Sequence, residues 1–159
     1  VNAQPPPFLP RAALRLGFLG LVPLAVSALV TLSQDRDTAY IAAIAFSLYA
    51  AVLLSFLGGV RCGIEIMRAP QTPSPPRLFY SAVPGLAGWF VAIFVVLVPA
   101  AVGTASVFAG LFAAQYLWDH RSAIDAGAPE WYPLLRKVLT GGAMIVCLLI
   151  PLATVLQRI

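Results

Sequence analysis

AYIAAIAFSLYAAVLLSFLGGV, residues 39–60, decides the class of this chain. No charge interrupts its 22 positions. As a helix rising about 1.5 Å per residue, the run reaches about 33 Å, enough to cross the hydrocarbon core of a bilayer. It is continuously apolar rather than alternating, which argues for a helix and against a strand of a membrane barrel. Beyond it stand Arg61, Cys62, Gly63, Ile64 and Glu65. Before it lies a polar turn, Gln34–Asp37.

Four further runs resemble it. Leu16–Leu32 contains Gly17, Gly20 and Pro23, which a membrane helix tolerates. Two arginines, an apolar core and small residues near Ala28 would also suit a signal peptide, but the segment is read as a span. Tyr80–Val98 carries Pro84 as a kink near its start. Ala101–Trp118 follows through an uncharged link, so these two spans form an antiparallel hairpin. Leu134–Leu156 is the last. The pattern predicts an all-α polytopic membrane bundle of about five transmembrane helices, at about 16–32, 39–62, 80–98, 101–118 and 134–156. They make one membrane domain over residues 14–157, preceded by a Pro-rich tail over residues 1–13.

Composition agrees. The chain is 60% hydrophobic and 10% charged, with mean hydropathy +0.90. A soluble domain carries about 25% charged residues. No room is left for a soluble domain beside the spans. The net charge of +4 comes from basic residues scattered over several loops. They form no dense patch, so nucleic acid is not expected as a partner. Placing the N-terminus inside puts Arg11, Arg15, Arg61, Arg68, Arg77, Arg121, Arg136 and Lys137 on the inner side, leaving Arg36 and Arg158 outside. The positive-inside rule then predicts a cytoplasmic N-terminus and a periplasmic C-terminus.

Lipid removes the hydrophobic drive between helices, so small residues mark their contacts. The second span carries Ala43, Ser47, Ala51, Ser55, Gly59 and Gly63, spaced by four. The fourth carries Ala101, Ala105, Ala109 and Ala113, flanked by Ser106, Gly110 and Ala114. These stripes predict that the second and fourth spans pack near the bundle centre. Ser55, Gly59, Gly63, Ser106 and Gly110 are the expected packing positions, and Gly59→Leu is expected to impair folding.

Five residues form a candidate polar cluster at the inner face: Arg61, Glu65, Asp119, His120 and Arg136. Ionisable groups at membrane depth are functional candidates. Arg61 and Glu65 share a helix face at i and i+4, and the plainer reading is an interfacial ion pair. Asp119, His120 and Arg121 follow the fourth span and read as a solvated turn. Arg136 and Lys137 are expected to snorkel to the headgroups. Trp118, Trp131 and Tyr132 suit interfacial anchors.

A single histidine excludes a haem held by two. Cys62 and Cys147 should differ in depth by several turns, which makes a disulfide or shared metal improbable. The chain has no P-loop, GxGxxG, GxSxG or HExxH pattern. No catalytic residue, metal site or cofactor is predicted.

Three strings carry a resemblance: SFLGGVRCG at Ser55–Gly63, YSAVPGLAGW at Tyr80–Trp89, and PEWYPLLRKVLT at Pro129–Thr140. Together the chain resembles the domain of unknown function 3429 family of membrane proteins, over roughly Leu14 to Leu156. The positions that match best are Gly58, Gly59, Arg61, Pro84, Trp89, Trp131, Tyr132, Arg136 and Thr140. Cys62 stands where a bulkier, often aromatic residue is expected, which puts any shared role for that position in doubt. The family has bacterial and mitochondrial members, so the resemblance implies a multi-pass protein of a bacterial inner membrane. It implies no activity.

Small size, packing faces and this resemblance lead to a non-enzymatic accessory or assembly subunit of a larger membrane complex, such as a bioenergetic one. Its partners would be membrane lipids and a membrane protein complex. Two alternatives stand beside it. One is a small transporter or channel, for which the spans offer only mild polar groups such as Ser27, Ser47, Thr104 and Gln115. The other is a lipid- or quinone-binding or -modifying protein that uses the inner-face cluster.

Overall fold

A computed structural model describes residues 10–98, 101–125 and 129–156; the side chains of residues 120–125 fall outside that description. Five helices make up the described chain: α1 (Arg11–Val30), α2 (Arg36–Arg68), α3 (Pro75–Leu97), α4 (Ala101–Asp125) and α5 (Tyr132–Leu156). Each is long and apolar enough to cross a membrane. Residues 1–9 of the Pro-rich tail lie outside the described residues.

The helix ends have local causes. Asp35 caps α2, its carboxylate accepting from the Thr38 backbone N–H at 2.9 Å and from the Thr38 hydroxyl at 2.5 Å. These bonds satisfy an otherwise orphan amide and hold the Asp35 carboxyl below its ordinary value. Pro75 and Pro76 open α3, where missing N–H groups have no intrahelical role to lose. α2 has 33 residues, about 50 Å at the helical rise, so it exceeds the hydrocarbon core. α4 also runs past Trp118 as far as Asp125, so Asp119 and the residues after it continue the helix rather than forming a turn.

Neighbours in sequence pack together, and α5 returns to α1, so the five helices form a ring. α2 and α4 also touch across it. The centre is filled by Leu24 and Ala28 from α1, Phe46, Ala50 and Leu54 from α2, Phe108 and Phe112 from α4, and Cys147 and Ile150 from α5. The rings of Phe46 and Phe108 meet edge to face, with centroids 6.1 Å apart. Large apolar side chains cover the outside, Leu19, Phe56, Phe90 and Ile145 among them. In a bilayer these meet acyl chains.

The stripe of small residues on α2 does not serve one interface. Ala43, Ser47 and Ala51 are buried, whereas Gly59 and Gly63 meet nothing within 4 Å of a built Cβ. The reason is helical phase. At about 3.6 residues per turn, a step of four advances about 40° around the axis. Five such steps carry the stripe round to the other side of the helix. Gly110 on α4 likewise meets open space, and Ser106 is exposed, its hydroxyl turned back to the Val102 carbonyl. Gly59, Gly63, Ser106 and Gly110 are therefore not packing positions within the bundle. Ser55 is, because it lies against Gly85 of α3.

The close approach of α2 to α3 rests on glycines one step out of that stripe. A Cβ on Gly58 would strike the Ser81 backbone carbonyl, and one on Gly88 would sit 3.0 Å from Ala51 Cα. Between α1 and α5, Gly17 takes the Leu139 side chain and Gly142 takes Leu21. Two tyrosines add cross-helix hydrogen bonds to backbone carbonyls: Tyr49 to Gly20 at 2.8 Å and Tyr40 to Val96 at 3.1 Å.

Gly58→Ala destabilises the bundle by about 1–3 kcal/mol through overpacking, although alanine favours a helix. Gly59→Ala is neutral or slightly stabilising; thermal unfolding in detergent separates the two. The Asp35 cap is present above the unfolded carboxylate pKa and is lost as pH falls through the lowered folded value. Acidification into that window therefore speeds hydrogen exchange in the first turn of α2 before it affects the core.

Candidate functional site

Three helices bring charges together at one end of the bundle, where α2 and α4 finish and α5 begins. Arg61 stands seven residues before the end of α2, Asp119 six before the end of α4, and Arg136 four after the start of α5. At the helical rise these are about 6–10 Å in from the helix ends. All three side chains are buried, at 9%, 6% and 5% exposure.

Asp119 is the hub. Its Oδ2 accepts from Arg136 Nη2, and its Oδ1 lies 3.6 Å from Arg61 Nη1. Gln115, one turn earlier on α4 and 4% exposed, donates Nε2 to Oδ1 at 3.3 Å. One carboxylate thus ties α2, α4 and α5. Arg61 also lies over the Trp118 ring, its Cζ 4.8 Å from the centroid, and Trp118 meets Tyr80 of α3 in a tilted contact with ring centroids 5.2 Å apart. Trp118 is therefore half-exposed and doubles as the wall over a buried cation. Arg136 Nε is a buried atom with no hydrogen-bond partner among the described residues.

A second carboxylate sits one turn nearer the end of α2. Glu65 is 6% exposed. Its Oε2 lies 3.4 Å from Arg77 Nη1 and 3.5 Å from Arg68 Nη1, and its Oε1 accepts from the Ser74 backbone N–H at 3.1 Å. It fastens the α2–α3 loop to α2. Arg61 and Glu65 share a helix face, yet their ion pairs diverge: Arg61 reaches Asp119 of α4, and Glu65 reaches Arg68 of its own helix, Arg77 of α3 and the Ser74 backbone of the loop.

Several expectations change. Asp119 is a buried ion-pair centre, not a solvated residue. Arg136 points into the bundle instead of snorkelling, while Lys137 is exposed. Adjacent helical residues differ by about 100° around the axis, so the two cations cannot share a fate. His120 lies in α4, but its side chain is outside the described residues. Trp131 and Tyr132 stand half-buried at the start of α5, with ring centroids 6.3 Å apart. Gln115 is the member that sequence reasoning passed over as a mild polar group. Its position four residues before Asp119 was the available signal. Among the described residues, no three His, Cys, Asp or Glu side chains cluster to hold a metal.

Chemically, the arrangement is a clamp. A buried ion pair is costly to break, because removal of one member leaves the others charged and unneutralised. Asp119→Asn keeps the shape but leaves Arg61 and Arg136 without their carboxylate. It lowers stability by about 3–5 kcal/mol, whereas Lys137→Ala changes it by no more than about 0.5 kcal/mol. Denaturant titration of the purified protein in detergent checks both.

The pattern of a family described as "Protein of unknown function (DUF3429)" matches residues 9–153. Transmembrane protein 69 of Xenopus tropicalis is 34% identical over 134 residues, covering 82% of this chain and 50% of its own length. The chain thus spans about half the length of that curated relative. No solved structure matches it significantly. The match over most of the chain, together with five helices able to span a bilayer, places this multi-pass membrane protein in the DUF3429 family.

Proposed function

We propose that the protein is a non-enzymatic accessory or assembly subunit of a larger membrane complex, resident in a bacterial cytoplasmic membrane. The observation that carries this reading is a lipid-facing groove between α2 and α3. Its volume is about 450 Å³, and it is lined by Ser55, Gly58, Gly59, Gly85 and Trp89, among others. Gly59 meets nothing of its own chain. Small residues let membrane helices approach closely, so a glycine-floored groove left open fits a helix from another subunit. Trp89 supports the same reading. It lies 14 residues into α3, about 21 Å from its start, deeper than the headgroup level where exposed tryptophans concentrate.

The buried charges support it from the other side. They pair with one another and join helices, while Phe46, Phe108 and Phe112 fill the bundle centre. This arrangement favours a scaffold over the transporter alternative, which needs a polar path through mid-depth.

Purification from native membranes in a mild detergent tests the proposal. A stoichiometric membrane partner accompanies the wild type, and Gly59→Leu loses it while keeping the wild-type melting temperature. A wild-type protein that emerges alone, as a monodisperse monomer, contradicts the proposal.

A further inference from the structure

We propose that Arg68 and Arg77, held side by side by Glu65, bind the phosphate of an anionic phospholipid in the leaflet at this end of the bundle. Both guanidinium groups lie within 3.5 Å of the same carboxylate oxygen, Glu65 Oε2. Two cations so close repel each other, and one buried carboxylate offsets only one of them. Each guanidinium has five N–H donors in a planar fork, and its contact with Glu65 engages only one edge. The side chains of Arg68 and Arg77 are 37% and 40% exposed, whereas Glu65 is 8% exposed. The carboxylate is thus the back of the site and the arginines are its open front.

Two further features suit a phospholipid. The first turn of α3 contains Arg77 and no acidic residue, so the positive end of the helix dipole adds to the same field. Exposed large apolar side chains stand within one turn of each arginine on the same helix: Met67, next to Arg68 in α2, is 81% exposed, and Phe79, two residues after Arg77 in α3, is 67% exposed. A phosphodiester joined to acyl chains can use the cations and the apolar flanks together. A free phosphate can use only the cations. Paired arginines match phosphate oxygens in geometry as well as charge. The site is separate from the α2–α3 groove and does not depend on a docked subunit.

Photocrosslinking tests the proposal on the full chain reconstituted in phosphatidylcholine vesicles. The vesicles contain a trace of photoactivatable phosphatidylglycerol or of photoactivatable phosphatidylcholine. The expected result is labelling of the Arg68–Tyr80 segment about tenfold stronger with the phosphatidylglycerol probe, because the choline cation of phosphatidylcholine offsets its phosphate and is repelled by the paired arginines. Unlabelled phosphatidylglycerol competes, and inorganic phosphate does not. The double variant Arg68→Gln/Arg77→Gln falls to the phosphatidylcholine level. Arg68→Lys/Arg77→Lys keeps the Glu65 pairing and retains part of the signal, and Lys137→Gln retains all of it. Equal labelling of the wild type by the two probes overturns the proposal. So does an equal loss in Lys137→Gln, which would mean diffuse surface charge, or competition by inorganic phosphate, which would mean a free-anion site.

Discussion

One buried carboxylate organises this bundle. Asp119 stands between Arg61 and Arg136, and all three are nearly closed to solvent. A lone aspartate in that position would face a heavy desolvation penalty, and so would either arginine. Joined, they hold α2, α4 and α5 at the relative rotation and depth that bring the three groups within reach. Glu65 repeats the device at the α2–α3 loop with Arg68 and Arg77. Two carboxylates thus serve four arginines, and these six groups keep a positive excess of two. That excess is what an anionic leaflet is suited to meet.

Away from the charged end, shape takes over. Apolar side chains gain little from leaving lipid, so helices associate where their surfaces fit. Gly58 and Gly88 admit α3 to the backbone of α2, and Gly17 and Gly142 exchange leucines between α1 and α5. The same chain has glycines that admit nothing. Gly59 lies next to Gly58 in sequence but about 100° round the helix, on the outside. The difference between an internal contact and an open surface is a matter of helical phase.

That distinction explains what the sequence disclosed. Hydropathy over residues 39–60 and four similar runs was enough for the class and number of helices, because a bilayer leaves a long apolar run few other structures. The polar members at the charged end were visible as residue types, but their roles were not. Asp119 follows Trp118 at the edge of an apolar run, where a span and a loop look alike. Its two arginines, distant in sequence, are its partners inside the bundle. Arg136 and Lys137 looked equivalent as neighbours until the helix rotated one inward. The stripe on α2 failed because spacing by four is not the true period of a helix, and the error grows with each turn.

A mutational cycle on the clamp tests the central claim most directly: that Asp119 stabilises the bundle by neutralising two buried arginines, and not merely by filling space. Stability is measured in detergent for Arg61→Met, Asp119→Leu and Arg136→Met, singly and together. The account predicts that Asp119→Leu alone is severely destabilised and that the triple variant, with no charge left unpaired, recovers much of the loss. Losses that simply add, leaving the triple variant the least stable of all, would contradict it.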